Sequence, residues 1–173
     1  RLKQLLGEEL RVDSRNIHAF IIGEHGDSEL AVWSEANVSG LALEDFCRIR
    51  GQALSRVDMD RLYRQVRDSA YEIIRRKGVT CYGIAMGVGR IAASIIRDEH
   101  AVLPISVVLD GQYGLDGLAL SIPSIVGRDG LEDILEIPLS GKEESALRNS
   151  ARQMHEVIST LKLSREPAYS KIF

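Results

Sequence analysis

Residues 102–109, 118–126 and 131–137 are three apolar, β-branched runs separated by turn-forming residues, and no other part of the chain limits the fold as much. Asp110-Gly111 and Gly114 divide the first two runs, and Gly127 with Asp129-Gly130 divides the last two. Connections this short join antiparallel neighbours, because a parallel pair needs a crossover of about a dozen residues or more. The block is expected to be an antiparallel meander. Residues 17–22 and 29–37 read as two further strands, ended by Gly23 and by Ser39-Gly40. Helical periodicity surrounds them. Leu2, Leu5, Leu6 and Leu10 predict a first helix closed near Asp13-Ser14. Leu62, Val66, Ala70, Ile73 and Ile74 predict one amphipathic helix over residues 58–77, stopped by Gly78. Residues 80–98 are apolar or small almost all round, which predicts a buried central helix where Gly83 and Gly87 admit a close neighbour. Ser140 and Glu143 have capping-box spacing ahead of a last helix with Leu147, Ala151, Met154, Ile158 and Leu161 on one stripe. Helices at both ends with β pairs between them predict an α+β fold, as a single domain over residues 1–173.

The bulk chemistry removes several function classes. A net charge of −3 over 173 residues argues against nucleic acid as a partner. No run of about 18 apolar residues is present, so no membrane span is expected. Cys47 and Cys81 have no paired spacing, which suits a reducing, cytoplasmic setting. The chain opens on Arg1 inside helical periodicity and is expected to be a piece of something longer.

Two segments bear on chemistry. "GVGRIA", residues 87–92, matches a dinucleotide-binding fingerprint, with Asp110 about 20 residues on, where a ribose-binding acid belongs. Pro104 would interrupt the second parallel strand of such a unit, and hairpin turns follow where another helix is needed. The glycines are therefore read as packing positions on one helix. "IIGEHGDSE", residues 21–29, places His25 between Gly23 and Gly26 just after a strand. Loops at strand ends are common places for chemistry, and histidine exchanges protons near neutral pH. A hydrogen-bonded structural histidine and a metal ligand partnered by Glu24 or Asp27 are the competing readings; His18, His100 and His155 show no ligand spacing, so no metal is expected.

"GEHGDSELAVWSEANVSG", residues 23–40, resembles the active-site stretch of L-lactate dehydrogenases. "RLKQLL", "KGVTCYGIAMGVGRI" and "ISVVLDGQYGLDGLALSIPSIVGRDG" resemble further parts of that family, so the likeness covers nearly the whole chain. It implies the C-terminal, substrate-side domain of an NAD-dependent L-lactate dehydrogenase of glycolysis and fermentation. His25 would be the proton donor and acceptor, Arg1 the substrate-carboxylate clamp, Thr80 a substrate-pocket residue and Ile84 a nicotinamide contact. The resemblance also implies that a Rossmann half, which holds most of the NAD, precedes Arg1, together with a mobile lid and the aspartate that orients the histidine. A homotetramer is implied. So is a site for fructose 1,6-bisphosphate at Lys3 and His18, where Lys3 stands in place of the family's arginine and lacks its bidentate fork.

Bland alternatives stand beside these roles. Thr80 has the position of a helix N-cap, Arg1 of an exposed terminal charge, and His18 of the solvent face of a strand. Asp27 and Ser28 are read as turn residues bonded to backbone, and Trp33 as a core or interface anchor. At the level of function, malate or another 2-hydroxy acid is the nearest alternative substrate. A domain that only packs and oligomerises is the non-enzymatic alternative.

Overall fold

The structure, a computed structural model, describes residues 1–161; the expected domain's remainder, 162–173, lies outside the described residues. Helix α1 (Leu2–Leu10) buries Leu2, Leu6 and Leu10 at fourfold spacing and is followed by a short 3-10 turn (Ser14–Asn16). Strand β1 (Ile17–Ile22) then pairs antiparallel with β2 (Leu30–Val38), Ile22 opposite Leu30. Ser39 and Gly40, both at positive φ (50° and 85°), turn the chain into the two-residue β3 (Leu41–Ala42). Four helices follow: α2 (Leu43–Ile49), α3 (Arg56–Arg67), α4 (Ser69–Lys77) and α5 (Tyr82–Arg97). The meander is β4 (Ala101–Asp110), β5 (Asp116–Gly127) and β6 (Gly130–Ile134), and α6 (Gly141–Thr160) closes the described chain. Two three-stranded antiparallel sheets result, in the orders β1-β2-β3 and β4-β5-β6. This is the expected α+β architecture. Pro104 is accommodated because β4 lies at a sheet edge.

Two hydrophobic clusters hold the elements together. One gathers α1, the start of β1, the end of β2, α2 and α3 around Leu6, Ile17, Val38 and Leu62. The other gathers the end of β1, the start of β2, the meander and α6 around Ile22, Val32, Leu120, Ile122 and Leu147. Ile17 and Ile22 bury opposite ends of the same strand in different clusters. Each such side chain taken fully out of water contributes about 1.5–3 kcal/mol. β1 is thus anchored at both ends, and its exit, where the loop carrying His25 begins, is fixed.

Several expectations need correction. The helix expected over residues 58–77 is two helices that meet at Asp68. There the Ser69 hydroxyl bonds the Val66 carbonyl at 2.7 Å, a side-chain bond that competes with the helical ladder. The helix expected to be buried, α5, is exposed over residues 82–91, and Ser94 alone on it is fully buried. A Cβ added at Gly83, Gly87 or Gly89 would meet nothing within 4 Å, so no packing partner for these glycines lies among the described residues. Finally, β6 stops at Ile134 rather than residue 137, and Leu161 is 58% exposed, off the buried stripe of α6.

Candidate active site

The loop bearing His25 leaves β1 where the two sheets meet. Gly23 exchanges backbone hydrogen bonds with Ser121 of β5, at 2.9 and 2.8 Å. Its φ of +94° is one reason for a glycine; the second is that a Cβ would stand 2.9 Å from Ser150 Oγ. Ser150 is fully buried on α6. Its Oγ accepts the Glu24 N–H at 2.8 Å and lies 3.1 Å from Ser28 Oγ. The Glu24 carboxylate in turn accepts the Ser28 N–H at 3.3 Å and the Ser28 hydroxyl. It folds across Gly26, where a Cβ would come within 2.9 Å of Glu24 Cδ. Both flanking glycines therefore serve this polar network. His25, between them, is exposed.

The far side of the loop is held from α3 and α4. Tyr63 donates its hydroxyl to the Glu29 carbonyl, and Tyr71 donates to Asp27 Oδ1 at 3.0 Å. Asp27 and Ser28 were both expected to bond turn backbone, and both are corrected: Asp27 takes Tyr71, and the Ser28 hydroxyl bonds the Glu24 carboxylate and meets Ser150 Oγ. The Tyr71–Asp27 bond and the Asp27 charge push the Tyr71 phenol above its ordinary value. Burial pushes the Glu29 carboxyl up, against the opposing charges of His25 and Arg67. Trp33 is half-buried against the first cluster, a core anchor.

The remaining candidates lie on separate elements. Arg1 is exposed at the N-cap of α1 and lines an open cleft of about 500 Å³ with Arg64, Asp68, Ser69 and Glu72. Helix α4 thus faces Arg1 with its first turn and reaches the His25 loop through Tyr71. Thr80 is half-buried in the link to α5; the N-cap of α5 is Cys81, with no side-chain cap bond, which removes the capping reading of Thr80. Ile84, on the first turn of α5, is 61% exposed and offers a flat planar ligand an apolar surface. Lys3 and His18 are both exposed, on α1 and β1.

The "GVGRIA" residues lie inside α5, where their backbone N–H groups are engaged in the helix. They make no glycine-rich turn at a helix start, so this stretch does not fit the pyrophosphate of a dinucleotide. Asp110 pairs across the meander with Asp116, with no crossover helix behind it. What α5 offers a nicotinamide nucleotide is an exposed apolar side chain at Ile84, not a phosphate-binding turn. Among the described residues, the acid and histidine ligand atoms that converge within 4.8 Å belong to Asp98, His100 and Glu132 rather than to the His25 loop. None of the described helices is long and apolar enough to cross a membrane.

Sequence reasoning missed Glu29, Tyr71 and Ser150, and weighed Glu24 only as a metal partner of His25 rather than as the acceptor that shapes the loop. Ser150 is 126 residues from Glu24, and a serine on a helix face carries no local mark of such a role.

Comparison with known proteins bears on the whole arrangement. Residues 1–163 match the model of the lactate/malate dehydrogenase, alpha/beta C-terminal domain. The L-lactate dehydrogenase of Moorella thermoacetica is 49% identical over 164 residues, which is 94% of this chain and 52% of the relative. That of Acetivibrio thermocellus is 45% identical over 161 residues, 93% of this chain and 51% of the relative. Among solved structures, a lactate dehydrogenase enzyme from a Medee basin deep-sea metagenome library superposes with a TM-score of 0.88 at 40% identity, over 94% of this chain and 52% of that one. The minor L-lactate dehydrogenase of Enterococcus mundtii, in its ligands-bound form, gives 0.88 at 36% identity, over 94% and 52%. The chain spans about half the length of the relatives it matches.

Proposed function

Since the chain belongs to the lactate/malate dehydrogenase family, as its C-terminal domain, we propose that it forms the substrate half of an NAD-dependent L-lactate dehydrogenase. The single observation that supports this best is an exposed histidine on a loop fixed from three sides by α6, β5 and α4. The reaction interconverts pyruvate and L-lactate. A bound nicotinamide supplies or accepts the hydride at the carbonyl carbon. His25 donates a proton to the carbonyl oxygen as charge gathers there, and removes it in the oxidative direction. Arg1 holds the carboxylate with two parallel N–H···O bonds, a geometry that lysine does not reproduce. Thr80 and Ile84 line the side-chain and nicotinamide ends. The nucleotide's phosphates, the lid and the aspartate behind His25 fall to a Rossmann half outside this chain, and the complete enzyme is a cytoplasmic homotetramer.

The test is His25→Gln in the full-length enzyme. General acid–base catalysis contributes typically about 10²–10⁴-fold, and kcat should fall by that order while NADH affinity holds within about twofold. Parallel loss of rate and NADH affinity would reject the role, because proton transfer acts in the transition state only.

We extend the same reading to regulation. Lys3 and His18 bind the two phosphates of fructose 1,6-bisphosphate where two copies meet, and the effector favours the assembled, active form. Both side chains are exposed and free to face such a boundary. Lys3→Arg should sharpen activation and His18→Asp abolish it; a saturation curve for pyruvate that ignores the effector removes the site.

A further inference from the structure

We propose that Ser150 is a positioning residue for His25: its hydroxyl, delivered by α6 into the buried end of the loop, holds the chain on both sides of the imidazole. The proposal rests on His25 being the proton donor. The direction of the bonds follows from counting hydrogens. Ser28 has one hydroxyl hydrogen, and the Glu24 carboxylate, which can only accept when ionised, takes it. The 3.1 Å contact between the two serines must then use the hydrogen of Ser150. Ser150 consequently donates to Ser28 and accepts from the Glu24 N–H, and neither of its capacities is spent elsewhere in its helix. One atom fixes the residue before His25 and the residue three after it.

The anchor itself is rigid. Leu147 and Ala151 flank Ser150 on α6 and are buried in the second cluster. Glu143, at the start of the helix, ties it to β2: Ser34 donates its N–H at 3.0 Å and its hydroxyl at 2.6 Å to that carboxylate. Gly23 completes the fit, since a Cβ there would occupy the space that Ser150 Oγ needs. A loop held so closely keeps the imidazole at one distance from a substrate carbonyl, and a misplacement of about 1 Å can cost about a hundredfold in rate.

The experiment compares Ser150→Ala, Ser28→Ala, the double variant and His25→Gln in the full-length enzyme. Each is measured by the single-turnover rate of pyruvate reduction, by KM for pyruvate and by hydrogen exchange at the Glu24 amide. Ser94→Ala serves as a control: that serine is equally buried, but it bonds the Val126 carbonyl at 2.7 Å and has no link to the loop. Ser150→Ala is expected to slow the single turnover about tenfold or more, with KM within about threefold, and to speed exchange at Glu24, while Ser94→Ala leaves the rate unchanged. The two serine variants should combine less than additively, as members of one network do. A wild-type rate in Ser150→Ala alongside a collapsed rate in His25→Gln overturns the positioning role alone. A wild-type rate in His25→Gln overturns the catalytic reading instead, and the Glu24 exchange rate then still decides whether Ser150 holds the loop. If Ser150→Ala does not fold, Ser28→Ala carries the same test, and an unchanged rate there overturns the proposal.

Discussion

At the scale of single residues, charge placement explains more than exposure does. His100 lies on the surface at positive φ (48°), yet both ring nitrogens face carboxylates: Nδ1 is 2.6 Å from Glu132 Oε2, and Nε2 is 3.6 Å from Asp98 Oδ1. The hydrogen bond that the ring donates to Glu132, the Glu132 charge and the Asp98 charge together raise its pKa above the ordinary 6.5. A group whose folded pKa is raised adds stability that is full below the unfolded value and disappears as pH climbs through the folded one. The contact between the end of α5 and β6 should therefore weaken as pH rises above about 6.5. Because the ring is exposed, the gain is small and screened by salt. The expected outcome is a His100 titration midpoint above 6.5 by NMR, moving down in Glu132→Gln; a midpoint at or below 6.5 in the unaltered chain would contradict the pairing. The same lesson applies to the His25 loop. The histidine and its two glycines were legible in the sequence because they are adjacent. Ser150 and Tyr71 were not, because only the folded chain brings α6 and α4 to that loop.

At the scale of elements, legibility followed the strength of the local signal. β1 occupies the residues that its β-branched run predicted, 17–22, and the capping box at Ser140 and Glu143 starts α6 as read. Alternation with closely spaced turns leaves few other structures for the meander. The division between α3 and α4 was hidden because both halves share one apolar stripe; at the break the Ser69 hydroxyl bonds the Val66 carbonyl. The exposure of α5 was misread for a different reason. A helix that is apolar all round must be covered by something, but nothing among the described residues covers its first ten residues. Tyr82, Met86 and Ile96 are 79%, 76% and 79% exposed, whereas Ser94 and the half-buried Ala92 and Ile95 meet the meander. The hydrophobicity was read correctly, and the burial expected from it is not met among the described residues.

At the scale of the whole molecule, the two hydrophobic clusters share β1 and β2 and enclose the His25 loop's base, while among the described residues nothing covers one side of α5. Arg1, His25 and Ile84, the residues proposed as carboxylate clamp, proton donor and nicotinamide contact, sit at the start of α1, on the β1–β2 loop and on α5, and each is exposed. A dinucleotide draws most of its affinity from phosphate contacts at a glycine-rich turn opening a helix. The glycine-rich stretch here is helical throughout, and the acid that would bind a ribose lies in an antiparallel hairpin. An apolar patch at Ile84 alone contributes little: a fully covered side chain of that size is worth about 1.5–3 kcal/mol, less than half of the roughly 8 kcal/mol that micromolar binding requires. The 173-residue chain should accordingly give no measurable heat with NADH in calorimetry at concentrations that saturate a micromolar site. Asp110→Ala should change nothing. Micromolar binding abolished by that substitution would restore the fingerprint as a true nucleotide site and would move the nucleotide's grip into this half of the enzyme.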